Sequence, residues 1–205
     1  MTDSAVGFRV KSGWASMVVV SGSLKAPEIV VSQVVQLADP EIPDSTQPFH
    51  VALELPGPKG IKEAKRLCRI VERYTDKQVG KALSGFAREG YRIRGVGIVA
   101  GSLTDPASIK NDHIRAHAEE GKLFRVVVEQ AAAAQSLSTV AFAEKDVMLK
   151  AVEALDIPDR LLKQMLAVLG KTVSGVWRAE QKLATLAALI VLHQSSGKSH
   201  RRAGA

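Results

Sequence analysis

The stretch GFRVKSGWASMVV, Gly7 to Val19, places two apolar, β-branched runs on either side of Lys11, Ser12 and Gly13. Val6, Phe8 and Val10 alternate with Gly7 and Arg9 before the break, and Trp14, Met17, Val18, Val19 and Val20 follow it. Apolar runs of strand length around a short polar, glycine-bearing segment predict a β-hairpin. Downstream, Pro27 precedes Glu28 to Leu37, where Ile29, Val30, Val31, Val34 and Val35 supply a third strand. Three consecutive antiparallel strands are therefore expected. From Ala38 to Pro58 the chain carries Pro40, Pro43, Pro48, Pro56 and Pro58, which predicts loop, with Phe49 to Leu55 as a short strand or helical turn.

Beyond the prolines the periodicity changes. Ile61, Ala64, Leu67, Cys68, Val71, Tyr74, Val79, Leu83 and Phe86 recur at intervals of three and four, so Lys59 to Glu89 reads as one long amphipathic helix, bent near Gly80 or Gly85. Gly90 caps it and Tyr91 to Ala100 reads as a strand. Asp105-Pro106 opens a second helix, since a capping residue before proline is pre-organised for a helix start, and it runs through Gln130 to the alanines at 131–134. Ser138 to Phe142 is a short strand and Lys145 to Leu155 a helical region. Ile157-Pro158 interrupts it, and Asp159 to Leu169 is a further helix. The last helix, Val176 to His193, is apolar on nearly all sides and belongs against a sheet or in a helical layer.

At 205 residues, 46% apolar and 24% charged, the chain fits one domain over 1–193 followed by a basic, disordered tail, 194–205. The net charge of +7 favours phosphate backbones or acidic surfaces. Basic residues are denser between Lys59 and Arg94, and again in the tail at Lys198, His200, Arg201 and Arg202. The lone Cys68 sits at an apolar helical position and reads as a small buried hydrophobe. A cytoplasmic protein is expected. No basic segment with an apolar core opens the chain, and runs such as Leu183 to Leu192 are about half of the ~20 residues a membrane span needs.

The element order is strand, strand, strand, helix, strand, helix, strand, helix, helix. It predicts an α/β protein of ribonuclease H-like type, with a mixed sheet of about five strands, the first three antiparallel, flanked by helices. The second half resembles the RuvC branch of that superfamily, the Holliday-junction resolvases. The similar stretches are IRAHAEEGKLFRVVVEQAAAAQSLSTVAFAEKDVMLKAVEAL, Ile114 to Leu155, and QKLATLAALIVLH, Gln181 to His193. Gly7 to Val19 occupies the place of the family's Gly-Ile-Asp-Pro-Gly strand and hairpin.

The resemblance implies two divalent metals held by three or four carboxylates, because in-line attack on phosphate needs both attacking and leaving oxygens stabilised by cations. The position matching the family's first-strand Asp is Arg9, and Ser4 to Pro27 contains no Asp or Glu. Val99 to Gly101 stand where the family has Glu, and Lys182 where it has Asp. Those departures imply a noncatalytic relative with no catalytic residue, metal or cofactor of its own.

Carboxylates in reserve are Asp105, Asp112 and Glu180, with Glu54 on a loop edge, although Asp105 is more simply a helix cap. His113 and His117 share a helix face at i, i+4, with Glu120 three further on, a spacing compatible with zinc. No third ligand is identifiable, so a polar helix face lining a groove is the favoured reading. Nucleotide-binding and hydrolase motifs are absent, and Ser21 to Lys25 reads as a connection rather than a phosphate loop. Trp14 and Trp177 read as core or ledge aromatics.

The expected function is a catalytically inactive, nucleic-acid-binding or scaffold protein, with DNA and RNA both open as ligands. Arg9, Lys11, Arg92, Arg94, Arg115 and Lys182 are its candidate phosphate contacts. One alternative is a metal-dependent nuclease with ligands relocated to Asp105, Asp112, His113, His117 and Glu180. Another is a structural subunit whose apolar last helix pairs with a protein partner or a second copy.

Overall fold

The hairpin forms where the spacing places it. In the computed structural model, which describes residues 1–203 with side chains as far as Ser195, β1 (Thr2–Lys11) pairs antiparallel with β2 (Trp14–Ser23), Val6 opposite Val19 and Lys11 opposite Trp14. Gly13 closes the turn at φ +83°, in the left-handed region that favours glycine. β3 (Ala26–Gln36) adds antiparallel to β2. β4 (Tyr91–Ala100) lies parallel to β1 and β5 (Thr139–Ala143) parallel to β4, giving a five-stranded sheet in the order β3-β2-β1-β4-β5.

Both faces of this sheet are covered, so burial does not alternate along its first two strands: β1 is buried from Ser4 to Val10 and β2 from Ala15 to Ser21. On one face, α2 (Gly57–Arg88) and α3 (Asp112–Ala134) enclose a core of Phe8, Met17, Ile98, Leu83, Phe86 and Phe124. On the other, α4 (Val147–Leu155), α5 (Asp159–Gly170) and α6 (Ala179–Ala203) pack around Val18, Val99, Leu162 and Leu186. The segment from Ala184 to Leu192 is buried against β1, β2 and β4, so the apolar run of the last helix is consumed inside the chain. Gly7, Gly95 and Gly97 let that helix approach; a Cβ on Gly97 would sit 2.5 Å from the Ala187 carbonyl oxygen.

Several boundaries differ from expectation for local reasons. Of the two readings of Phe49 to Leu55 the helical one holds, with bounds one residue earlier: α1 (Pro48–Glu54) starts on Pro48, whose fixed φ suits a first helical position, and Leu55 is already extended. α2 is one long helix, as its period predicts, and it includes both Gly80 and Gly85. Asp105-Pro106 opens only a short 3-10 turn, Pro106–Ser108, where the Asp105 carboxylate accepts from the Ala107 amide. α3 begins later, because the Asn111 side chain accepts from the Ile114 amide at 3.0 Å and supplies the real cap. Asn111→Ala is expected to cost about 1 kcal/mol in urea unfolding; Asp105→Ala, which caps no α-helix, is expected to cost less. Asp156, left-handed at φ +54°, ends α4. The last helix opens at Ala179 rather than Val176, after Trp177 has donated its indole N–H to the Leu166 carbonyl at 3.0 Å.

Burial pushes the Cys68 thiol up to about 11, helped by Glu72 and Glu119, so it behaves as an inert, half-buried hydrophobe. Among the described residues, no helix is long and apolar enough to cross a membrane. The basic residues of the expected tail, Lys198 to Arg202, lie outside the described side chains.

Candidate functional site

Parallel pairing of β1, β4 and β5 brings their carboxyl ends to one edge of the sheet. In open α/β sheets ligands bind outside that edge. Arg9 lies there opposite Val99, with only 2% of its surface exposed. Its guanidinium donates to the Val10 carbonyl and to the Glu144 carboxylate, which is 43% exposed. Glu144 is placed by its own backbone, whose N–H donates to the Ala100 carbonyl at 2.8 Å and extends the β4–β5 ladder by one step. The strand-end site is thus filled by a buried cation with one half-exposed counter-ion, and the Arg9 Nε has no partner.

The other candidate phosphate contacts do not form a single patch. Lys11 is half-buried beside the hairpin turn, and Lys182 is exposed in the first turn of α6. Arg92 and Arg94 lie at the opposite end of the strands, where they donate to the two Asp3 carboxylate oxygens at 2.6 and 2.7 Å. Partial burial would raise the Asp3 pKa, but the Arg94 and Arg92 hydrogen bonds outweigh it and hold the carboxyl below its ordinary value. Arg115, near the start of α3, donates to the Ile109 carbonyl at 3.2 Å and pairs with Asp112. Among the reserve carboxylates, Asp105 faces Lys122 at 3.5 Å, Glu180 is half-buried in the first turn of α6, and Glu54 is exposed at the end of α1. These carboxylates do not converge with the histidines.

The structure instead brings His113 and His117 to His50, on α1. The three ring centroids lie 4.2 to 4.9 Å apart. Beneath them Glu120 is fully buried, and its Oε1 meets His50 Nδ1 at 2.7 Å and accepts from the His50 backbone N–H at 3.3 Å. Its Oε2 has no hydrogen bond and lies 4.0 Å from His117 Nδ1. His50 is the member of the cluster that the sequence alone does not single out. It belongs to a proline-rich segment separated from α3 by a long helix and a strand, and its only local signal is Pro48 at a helix start.

No protein-family model matches the chain, and no curated protein matches it by sequence. Solved structures do match. Thermus thermophilus RuvC superposes with a TM-score of 0.55 at 14% identity, covering 96% of each chain. The same T. thermophilus protein in complex with Holliday junction substrate gives 0.55 at 13% identity, over 96% of this chain and 95% of that one. The chain has the RuvC fold. With so little identity, the RuvC likeness establishes the path of the backbone and leaves the side chains to speak for themselves. At the strand ends the buried Arg9 guanidinium pairs with the Glu144 carboxylate, and among the described residues the only convergence of three potential metal ligands is that of His50, His113 and His117.

Proposed function

We propose that the chain is a nucleic-acid-binding protein on a RuvC-type fold that does not cleave through a strand-end carboxylate centre. The Arg9–Glu144 pair carries this reading. A divalent ion at the end of β1 would meet a guanidinium that is only 2% exposed, and the nearby carboxylate is already paired with it. The fold of a protein solved on Holliday junction substrate, together with a net charge of +7, supports a phosphate-backbone ligand.

Within that reading Arg9 positions Glu144 and fills the site. Lys11 and Lys182 offer accessible charge on flanking elements, with Arg115 at the start of α3, and Arg92 with Arg94 contribute at the far end of the sheet. Fluorescence anisotropy of labelled single-stranded, duplex and four-way-junction DNA, and of RNA, tests it in EDTA at two salt concentrations. Binding is expected without metal, with log K falling against log salt by roughly 0.9 per phosphate neutralised on duplex DNA. Lys182→Ala is expected to weaken binding and lower that slope by about 1. Absence of binding to every probe, or affinity indifferent to salt, would sink the proposal, as would Mg²⁺-dependent cleavage that requires Glu144.

A further inference from the structure

We infer that His50, His113 and His117 form a site for a divalent transition-metal ion of the zinc type, with Glu120 as the carboxylate that orients it. The inference is independent of the nucleic-acid reading and uses a different part of the molecule, between α1 and α3.

The local sequence builds half of the site. Asn111 fixes the start of α3, and a spacing of four then stacks His113 and His117 on one helix face. Glu120, one turn further along that face, points under them and is fully buried. The other half arrives with α1, which lays His50 across the two exposed rings. One ligand atom from each histidine can be chosen so that all lie within 4.8 Å of one another. Tetrahedral zinc at ~2.0–2.1 Å from each nitrogen needs nitrogens about 3.3 Å apart, so closure by roughly an ångström and a half or less completes the geometry.

Two unpaired atoms show what the cluster lacks. Glu120 Oε1 engages His50 Nδ1, and the other ring nitrogen, His50 Nε2, is buried without a hydrogen-bond partner. Glu120 Oε2 is likewise buried and without a hydrogen bond, with His117 Nδ1 4.0 Å away. A fully buried carboxylate is costly to leave with so little compensation. Edge-on and tilted packing of three imidazoles accounts for the ring contacts but supplies neither missing hydrogen bond. A dication bound through His50 Nε2 satisfies that nitrogen directly and balances the Glu120 charge through the ring. Metal-ligating histidines commonly hold their other nitrogen on a carboxylate in this way. Three imidazole nitrogens suit zinc, and because His113 and His117 are exposed, the fourth coordination position opens to solvent, where a water or an anionic oxygen completes the tetrahedron.

The test uses the full chain, stripped with chelator and free of nucleic acid. Zn²⁺ is titrated by calorimetry and Co²⁺ by visible absorption. Wild type is expected to take up one equivalent, with the intense visible bands of tetrahedral Co²⁺. His113→Ala and His117→Ala remove exposed side chains, so their circular dichroism is expected to match wild type while the Co²⁺ bands disappear. Glu120→Gln is expected to weaken Zn²⁺ binding by ~10–100-fold. No saturable uptake by wild type overturns the site, as does uptake that survives in the double His113→Ala, His117→Ala variant. Unchanged affinity in Glu120→Gln overturns the role given to the carboxylate. Anisotropy in EDTA is unaffected by any of these results, so the two proposals fail separately.

Discussion

Gly7→Ala is expected to destabilise the protein by about 3 kcal/mol or more, read as a lower midpoint in urea with little change in slope. An added Cβ would stand 1.8 Å from the Ala184 carbonyl oxygen, 2.7 Å from its carbon and 3.1 Å from the Ala188 amide nitrogen. All are backbone atoms of α6, so no side-chain rotation relieves the clash. The helix must lift from β1, and the apolar segment that covers this face lifts with it. Overpacking typically costs about 1–3 kcal/mol, and a clash with rigid backbone belongs at the top of that range or above it. Native domains have only about 5–15 kcal/mol in total, so the variant loses a large share of its stability. Gly85→Ala provides the contrast. Nothing lies within 4 Å of a Cβ placed on Gly85, and a glycine inside a helix is about 0.5–1 kcal/mol worse than alanine, so this change is expected to stabilise. If Gly7→Ala cost less than about 1 kcal/mol, the bottom of the overpacking range, the close seating of α6 on β1 would be wrong.

The same contact shows why the fold was legible in the sequence and much of the site was not. Strands and helices announce themselves over short windows: the Gly7–Val19 hairpin, the long period of α2 and the all-round apolarity of the last helix need no knowledge of what lies opposite. Arg9 is different. An arginine between Phe8 and Val10 has the local pattern of a solvent-facing strand position, and only the covering of both sheet faces buries it. Its partner Glu144 comes from the end of β5, and their meeting depends on the order β1-β4-β5, which no local window contains. His113, His117 and Glu120 were visible because they share one helix face, whereas His50 was hidden by distance along the chain and by the prolines around it. Asp105 misled for the converse reason. Its local signal was sound, but it caps a 3-10 turn and the cap of α3 fell to Asn111.

The Arg9–Glu144 pair is expected to respond unequally to loss of its two members. Glu144→Ala strands a guanidinium that is only 2% exposed, with the Val10 carbonyl as its remaining acceptor. Breaking a buried pair from one side costs about 3–5 kcal/mol; because Glu144 itself is 43% exposed, water can enter where it stood, and about 2–3 kcal/mol is expected here. Arg9→Met removes the buried charge and leaves a carboxylate that faces water, so it is expected to cost about 1 kcal/mol or less. The double variant should therefore resemble Arg9→Met, with the cost of Glu144→Ala largely cancelled, and urea unfolding of the four proteins closes the cycle. Additive losses would mean that the two side chains do not interact. A larger loss for Arg9→Met than for Glu144→Ala would mean that the guanidinium is held chiefly by the strand-end carbonyl and by packing, and that Glu144 is free to serve another ligand. The expected order, by contrast, makes Glu144 the necessary counter-ion of a cation built into the sheet, and a carboxylate so committed is a poor ligand for a metal.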